Sequence, residues 1–309
     1  MDKKNILPVV IGLALLGVLF YTLGPSNIIN ALLKTNLLYF AFSLVPYFIC
    51  DIMSGISLNI LFPHARLKDL VLCHMCGMLY SALTPGRAGY YYVAYSLSKK
   101  HGKSISSGAG LLTLMQAINF FLKVIFSVTA VLYFSYYIAS EEVKQYLLLA
   151  SLAPVVLIMA IVLFLYTDLP LKVLRGKNPM VLKIKSFVAS MQESTRKVKK
   201  TSILKIMGIA CIGWLMMGLM MYLITESMGL NLSYIQCLMM HPLLSALMFI
   251  PFVPAGLGLT ETGSALLFKI IGFTTSDGVA FMLLFRLGMI IVDSVGVVDM
   301  KLMEKPHNK

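Results

Sequence analysis

Long apolar runs alternate along the chain with short polar or charged connections. Most runs reach the length of about 20 apolar residues that a membrane-spanning helix needs. Residues 6–23 form the first, ending at Gly24-Pro25, and residues 38–62 the second, with Asp51 inside it and a break expected at Pro46. Residues 108–137, 146–166, 203–224 and 279–298 follow, giving six predicted crossings. A signal peptide would share the basic start and apolar run of the N-terminus. No small-x-small cleavage site follows, however, so residues 6–23 read as a span.

Two further apolar regions break in the middle. Residues 70–83 and 90–97 flank Thr84-Pro85-Gly86-Arg87-Ala88-Gly89, while residues 232–249 and 264–273 flank a second break with Pro251, Pro254, Gly256, Gly258 and Glu261. No flank of the first break is long enough to cross a bilayer. Irregular backbone at membrane depth persists only where protein or a water-filled cavity satisfies its polar groups. A buried break carrying a cation is therefore the strongest functional lead in the sequence.

Loop charge orients these elements. Residues 63–68, 98–103 and the tail 301–309 are basic, and residues 168–205 carry ten Lys/Arg against two acids. These belong on the cytoplasmic side, with both termini, by the positive-inside rule. Glu141-Glu142 and the acidic turn at 274–278 belong outside. Residues 69–97 leave a basic loop and return to one, which favours a re-entrant hairpin over two short tilted spans. The second hairpin then opens from the opposite side.

The order span, span, hairpin, span thus occurs twice, and Pro85-Gly86-Arg87-Ala88-Gly89 matches Pro254-Ala255-Gly256-Leu257-Gly258 as Pro-small-x-x-Gly. Broken segments at corresponding places in two halves mark an inverted repeat with a site between them. The expected organisation is one membrane domain, 1–309. Residues 1–138 form the first half, 139–167 the fourth span and 168–205 a basic cytoplasmic segment, with 203–300 completing the second half. In the basic segment Met180, Ile184, Phe187, Val188 and Met191 recur at helical spacing. They predict an amphipathic helix, either on an anionic membrane surface or as a solvated connector.

Composition agrees. Of 309 residues, 59% are hydrophobic and 13% charged, against about 25% charged in soluble domains. The class is an all-α polytopic protein, multi-pass in the cell membrane. The net charge of +13 sits in a few loops, so it points to an anionic leaflet and not to nucleic acid. Cys50, Cys73, Cys76, Cys211 and Cys237 lie in apolar runs, and Cys73-His74-Met75-Cys76 lacks the second pair a metal site needs. Neither metal nor cofactor is expected.

Ionisable groups inside spans are costly and are functional candidates by default. Arg87 sits at the first break, either to hold a lipid phosphate or to tie backbone carbonyls together. Gln116, Asn119 and Lys123 follow i, i+3, i+7 spacing and share one helix face; Arg286 and Asp293 stand seven apart and share another. Asp51, Glu261 and Asp293 are the acids that could pair with these cations or carry protons. Tyr90, Tyr91, Tyr92 and Tyr95 line a headgroup path or form an interfacial belt.

Thr84 to Gly89, the stretch 251–261 and Arg286 together resemble the lysylphosphatidylglycerol synthase transmembrane region, a family of flippase-like membrane domains. Where the family's first motif usually continues with an acid, this chain has Tyr90. Family members with a soluble aminoacyl- or glycosyl-transferase domain modify lipids. This chain lacks one, so the resemblance implies the membrane half alone and the movement of lipid headgroups between leaflets.

Three functions follow as expectations. The first is a flippase-like transporter of a phosphate-bearing lipid, anionic or polyprenyl-phosphate-linked, binding at Arg87, Gly86, Gly89, Gly256, Gly258, Glu261, Arg286, Lys123, Gln116 and Asn119. The second is a membrane subunit that anchors a transferase partner. The third is a lipid-modifying enzyme, disfavoured because no catalytic constellation is evident.

Overall fold

The computed structural model describes residues 25–84, 86–102, 104–135, 145, 155–156, 158–174, 178–248, 253 and 256–299, and every regular element among them is helical. These are α1 (Pro25–Leu33), α2 (Leu37–Leu61), α3 (Leu67–Ala82), a 3₁₀ turn (Ala88–Tyr91), α4 (Tyr92–His101), α5 (Ile105–Ser135), α6 (Leu169–Val173), α7 (Pro179–Arg196), α8 (Lys200–Ser227), α9 (Tyr234–Leu247), α10 (Leu259–Ile270) and α11 (Thr275–Asp293). A second 3₁₀ turn, Ser294–Gly296, extends α11 to Asp299. The predicted span 6–23, the start of the fourth span, Glu141-Glu142, Pro85, Pro251, Pro254 and the basic tail lie outside the described residues.

Four helices among the described residues are long and apolar enough to cross a membrane: α2, α5, α8 and the run Thr275–Asp299. Their outward faces are apolar, with Phe42 and Val45 on α2, Ile125 and Leu132 on α5, and Leu204 and Leu215 on α8 exposed. Water would penalise such a surface; lipid chains do not. The protein is an all-α multi-pass membrane protein. Pro46 does not break α2 as its sequence suggests: the helix runs through it. Neighbouring helices can re-satisfy the backbone group an interior proline frees.

The helices around the breaks are shorter. α3 has 16 residues and α4 has 10; α9 has 14 and α10 has 12. At 1.5 Å per residue none covers the roughly 30 Å of a hydrocarbon core. α4 packs on α3 and α5, burying Val93, Ala94 and Leu97, whereas α9 and α10 join α8 and α11 in a core where Phe134, Phe268, Phe281 and Phe285 meet Met220, Met221, Met240 and Met282. Unbranched methionine fills the irregular gaps that broken helices leave.

α7 divides the apolar stripe its sequence predicts. Val188 and Met191 are buried against α5, where Gly110 lets the two backbones approach and Ser106 Oγ bonds Ser190 Oγ at 2.9 Å. Gln192 Nε2 donates to the carbonyls of Phe164 and Thr167 at 2.7 and 2.9 Å. Met180, Leu182, Ile184 and Phe187, at the other end, face outward beside Lys183 and Lys185.

Candidate functional site

The first break is built on Thr84. Its hydroxyl donates to the Tyr80 carbonyl at 3.0 Å and accepts the Gly89 N–H at 2.7 Å. The Thr84 carbonyl accepts the Arg87 N–H at 3.2 Å, and the Arg87 carbonyl accepts the Tyr90 N–H at 3.1 Å, starting the 3₁₀ turn. Gly89 must be glycine, because a Cβ there would sit on the Tyr80 carbonyl. Gly86 and Arg87 both adopt left-handed backbone with φ of 58°. Arg87 is the one non-glycine residue with positive φ among those described. Such a conformation costs about 1–2 kcal/mol and concentrates at functional sites. Its guanidinium is steadied by Ser81 Oγ, 3.3 Å from Nε and 3.2 Å from Nη2, and by Met78 Sδ at 3.4 Å.

The second break closes differently. Gly258 precedes α10, and the Glu261 carboxylate reaches back to accept the Gly258 N–H at 2.7 Å, satisfying a donor the helix start would leave unpaired. The same Oε2 accepts the Thr260 hydroxyl at 2.9 Å. Oε1 accepts Arg286 Nε at 3.1 Å and lies 2.9 Å from Nη2, which donates to Thr260 Oγ1 at 2.9 Å. Glu261 is wholly buried, so its charge is balanced by a dedicated cation and capped by backbone.

A cavity of about 690 Å³ lies between α2, α3, α5, α8, α9 and the first break. That is room for a ligand headgroup with part of a chain. Arg87 and Gly86 enter it from the break, and Gln116, Asn119 and Lys123 from α5. Lys123 is 4% exposed and donates to the Ser245 carbonyl at 3.2 Å. Trp214 covers the far wall, edge-on to His241 at 4.6 Å and stacked on Phe126 at 5.2 Å. The cavity therefore joins two cations and two amides to an aromatic and aliphatic lining. Arg87 also lines a second, smaller pocket beside Met248 at the end of α9 and Arg286 and Asp293 of α11.

Two buried acids stand by the cations. Asp51 Oδ1 is 3.4 Å from His74 Nε2, and His74 Nδ1 lies 2.8 Å from the Tyr90 hydroxyl. Asp293 Oδ2 accepts the Tyr47 hydroxyl at 3.0 Å. The other oxygen of each acid, Asp51 Oδ2 and Asp293 Oδ1, has no hydrogen-bond partner among the described residues. At the far end of α11, fully buried Asp299 accepts Tyr92 at 3.0 Å, Ser96 at 2.7 Å and Lys100, tying this helix to α4.

The structure thus brings Arg87, Gly86, Gln116, Asn119, Lys123 and Asp51 to one cavity. Gly89, Gly256 and Gly258 shape the breaks, and Glu261 with Arg286 forms an ion pair beside it. Tyr47, His74, Trp214 and His241, none of them a candidate site residue from the sequence, also line the cavity. His74 sits two positions before Cys76, inside a motif read only for metal binding, and its partner Asp51 is on another helix. Among the described residues no cluster of three or more His, Cys, Asp or Glu could hold a metal ion.

Comparison with known proteins follows the same lines. No solved structure matches the chain significantly. The UPF0104 membrane protein MJ1078 of Methanocaldococcus jannaschii is 24% identical over 240 residues, covering 75% of this chain and 99% of that protein. Of the 309 residues, 5–295 match the family model described as the lysylphosphatidylglycerol synthase TM region, and the chain belongs to that family.

Proposed function

We propose that the protein moves a phosphate-bearing amphiphile between leaflets, without chemical change, through the cavity at the two breaks. The observation that carries this reading is the convergence of Arg87, Lys123, Gln116 and Asn119 on one cavity that also has a broad aromatic and aliphatic wall. Guanidinium and ammonium groups with amide donors suit a phosphate, and the aromatic and aliphatic wall suits a lipid chain. Arg87 is offered by a strained left-handed backbone, of the kind that concentrates at functional sites. Family membership supports a lipid as the partner.

In this reading the two broken regions are opposed re-entrant hairpins in the cell membrane, with the termini in the cytoplasm. The basic loops support that orientation. The outward Met180, Leu182, Ile184 and Phe187 of α7 rest on the anionic cytoplasmic leaflet, with Lys183 and Lys185 at headgroup level.

Reconstitution into liposomes containing fluorescent-headgroup lipids tests the transport. Transfer of at least one phosphate-bearing lipid between leaflets is expected. No transfer across anionic, zwitterionic and polyprenyl-phosphate lipids would overturn the reading.

A further inference from the structure

Formal charge around the cavity comes close to cancelling. Arg87 and Lys123 contribute two positive charges, and Asp51 and Asp293 two negative ones, while Glu261 and Arg286 neutralise each other. Both acids are almost wholly buried, at 1% and 4% exposure, and each keeps one carboxylate oxygen without a partner among the described residues. An isolated buried carboxylate is so costly that it binds a proton instead of standing alone. Arg87 lines both the cavity that Asp51 faces and the smaller pocket that Asp293 faces, so these acids depend on the site's cations for whatever charge they carry.

The surroundings of the acids are specific. Asp51 faces His74 of α3 and, through it, Tyr90 of the 3₁₀ turn; Tyr47, from its own helix, joins Asp293 of α11. Arg87 approaches from the first break, Lys123 from α5 and His241 from α9. α8 presents Ile209, Ala210, Gly213, Trp214 and Met217 to the same space, none of which titrates. Among the described residues Asp51 is the one acid that lines the cavity, and Asp293 lines the smaller pocket beside it.

We propose that Asp51 and Asp293 form a proton-binding site linked by charge to anion binding at Arg87 and Lys123, so that an anionic headgroup enters together with a proton. The inference rests on the anion-binding reading above. When the headgroup takes the cations as its counter-ions, the acids lose theirs. One of the unpartnered oxygens, Asp51 Oδ2 or Asp293 Oδ1, then accepts a proton from solvent. Linkage makes the coupling reciprocal: a proton on the pair favours the anion as much as the anion favours the proton.

Dihexanoyl phosphatidylglycerol is a suitable probe, because its phosphodiester stays ionised throughout. Titration calorimetry of the full chain in detergent, in two buffers of different ionisation enthalpy, counts protons taken up. Fluorescence of Trp214, the one tryptophan in the chain, reports binding independently. Somewhere between about pH 6 and about pH 9 the wild type takes up about one proton per anion, and affinity falls up to tenfold per pH unit on the alkaline side. Asp51→Asn and Asp293→Asn, each checked for a monodisperse elution profile, still bind the probe but take up less than about half as much.

Saturable binding with no proton uptake anywhere in that range overturns the coupling and leaves the anion site standing. Uptake unchanged in both variants assigns the proton elsewhere and also overturns it. No binding by calorimetry or by Trp214 fluorescence overturns the anion site, and the coupling with it.

Discussion

Arg286 Nε donates to one oxygen of Glu261 at 3.1 Å while its Nη2 lies 2.9 Å from the same oxygen and donates to Thr260 Oγ1, and so joins α11 to the start of α10. The other Glu261 oxygen caps the same helix start. One carboxylate therefore fixes both the fold of the second break and its docking on the last long helix. Arg286→Met leaves that carboxylate buried without its cation and should cost about 3–5 kcal/mol. Adding Glu261→Gln keeps the cap acceptor and removes the stranded charge. The double variant should regain much of the loss in thermal unfolding followed by Trp214 fluorescence.

Two substitutions at Arg87 separate stability from activity. Arg87→Gly relieves the left-handed backbone, whereas Arg87→Ala does not. Gly should be more stable than Ala at this site by about 1 kcal/mol. Both variants should lose anion binding, since neither carries the guanidinium. Unfolding midpoints and Trp214 titrations of the pair check this directly.

Gly89 and Gly102 make a matched contrast. A Cβ at Gly89 meets the Tyr80 carbonyl and the Thr84 hydroxyl that closes the turn. At Gly102, φ is 63° but nothing lies within 4 Å of a Cβ. Gly102→Ala should cost about 1 kcal/mol, for backbone alone. Gly89→Ala must also displace backbone and should cost about 1–3 kcal/mol more. Equal effects in thermal unfolding would show that the first break is looser than its hydrogen bonds indicate.

The orientation of α11 has a labelling test. Asp299 is held by Ser96 and Lys100 of α4, and Asp277 stands 22 positions earlier on the same continuous run. At 1.5 Å per residue that separation is about 33 Å, the depth of a hydrocarbon core. Cysteines at Lys99, which is exposed, and at Asp277 should therefore react with an impermeant maleimide from opposite sides of the membrane. Reaction from the same side would contradict a spanning α11.

The all-α, multi-pass class was legible in the sequence because bilayer length and helix periodicity act locally. Gln116, Asn119 and Lys123 could be placed on one face from spacing alone, and they share the cavity. Arg87 stood out because a charge interrupted an apolar run. The partnerships were not legible. Tyr47 and Asp293 lie 246 positions apart, and Asp51 meets His74 only because α2 and α3 pack side by side. Glu261 offered a choice between Arg87 and Arg286 that spacing cannot decide; the geometry of the second break gives it Arg286. Pro46 misled because a local rule, proline breaking a helix, yields to packing inside a membrane.

The most direct test of the account compares the wild type with Arg87→Ala at equal insertion into liposomes, following the exchange of a phosphate-bearing fluorescent lipid between leaflets. Loss of one charge-assisted contact of this kind is worth about 1.5–3 kcal/mol, so the rate should fall roughly ten- to a hundredfold while folding and insertion persist. A transfer rate unchanged in Arg87→Ala would contradict the claim that the break at 84–89 holds the headgroup.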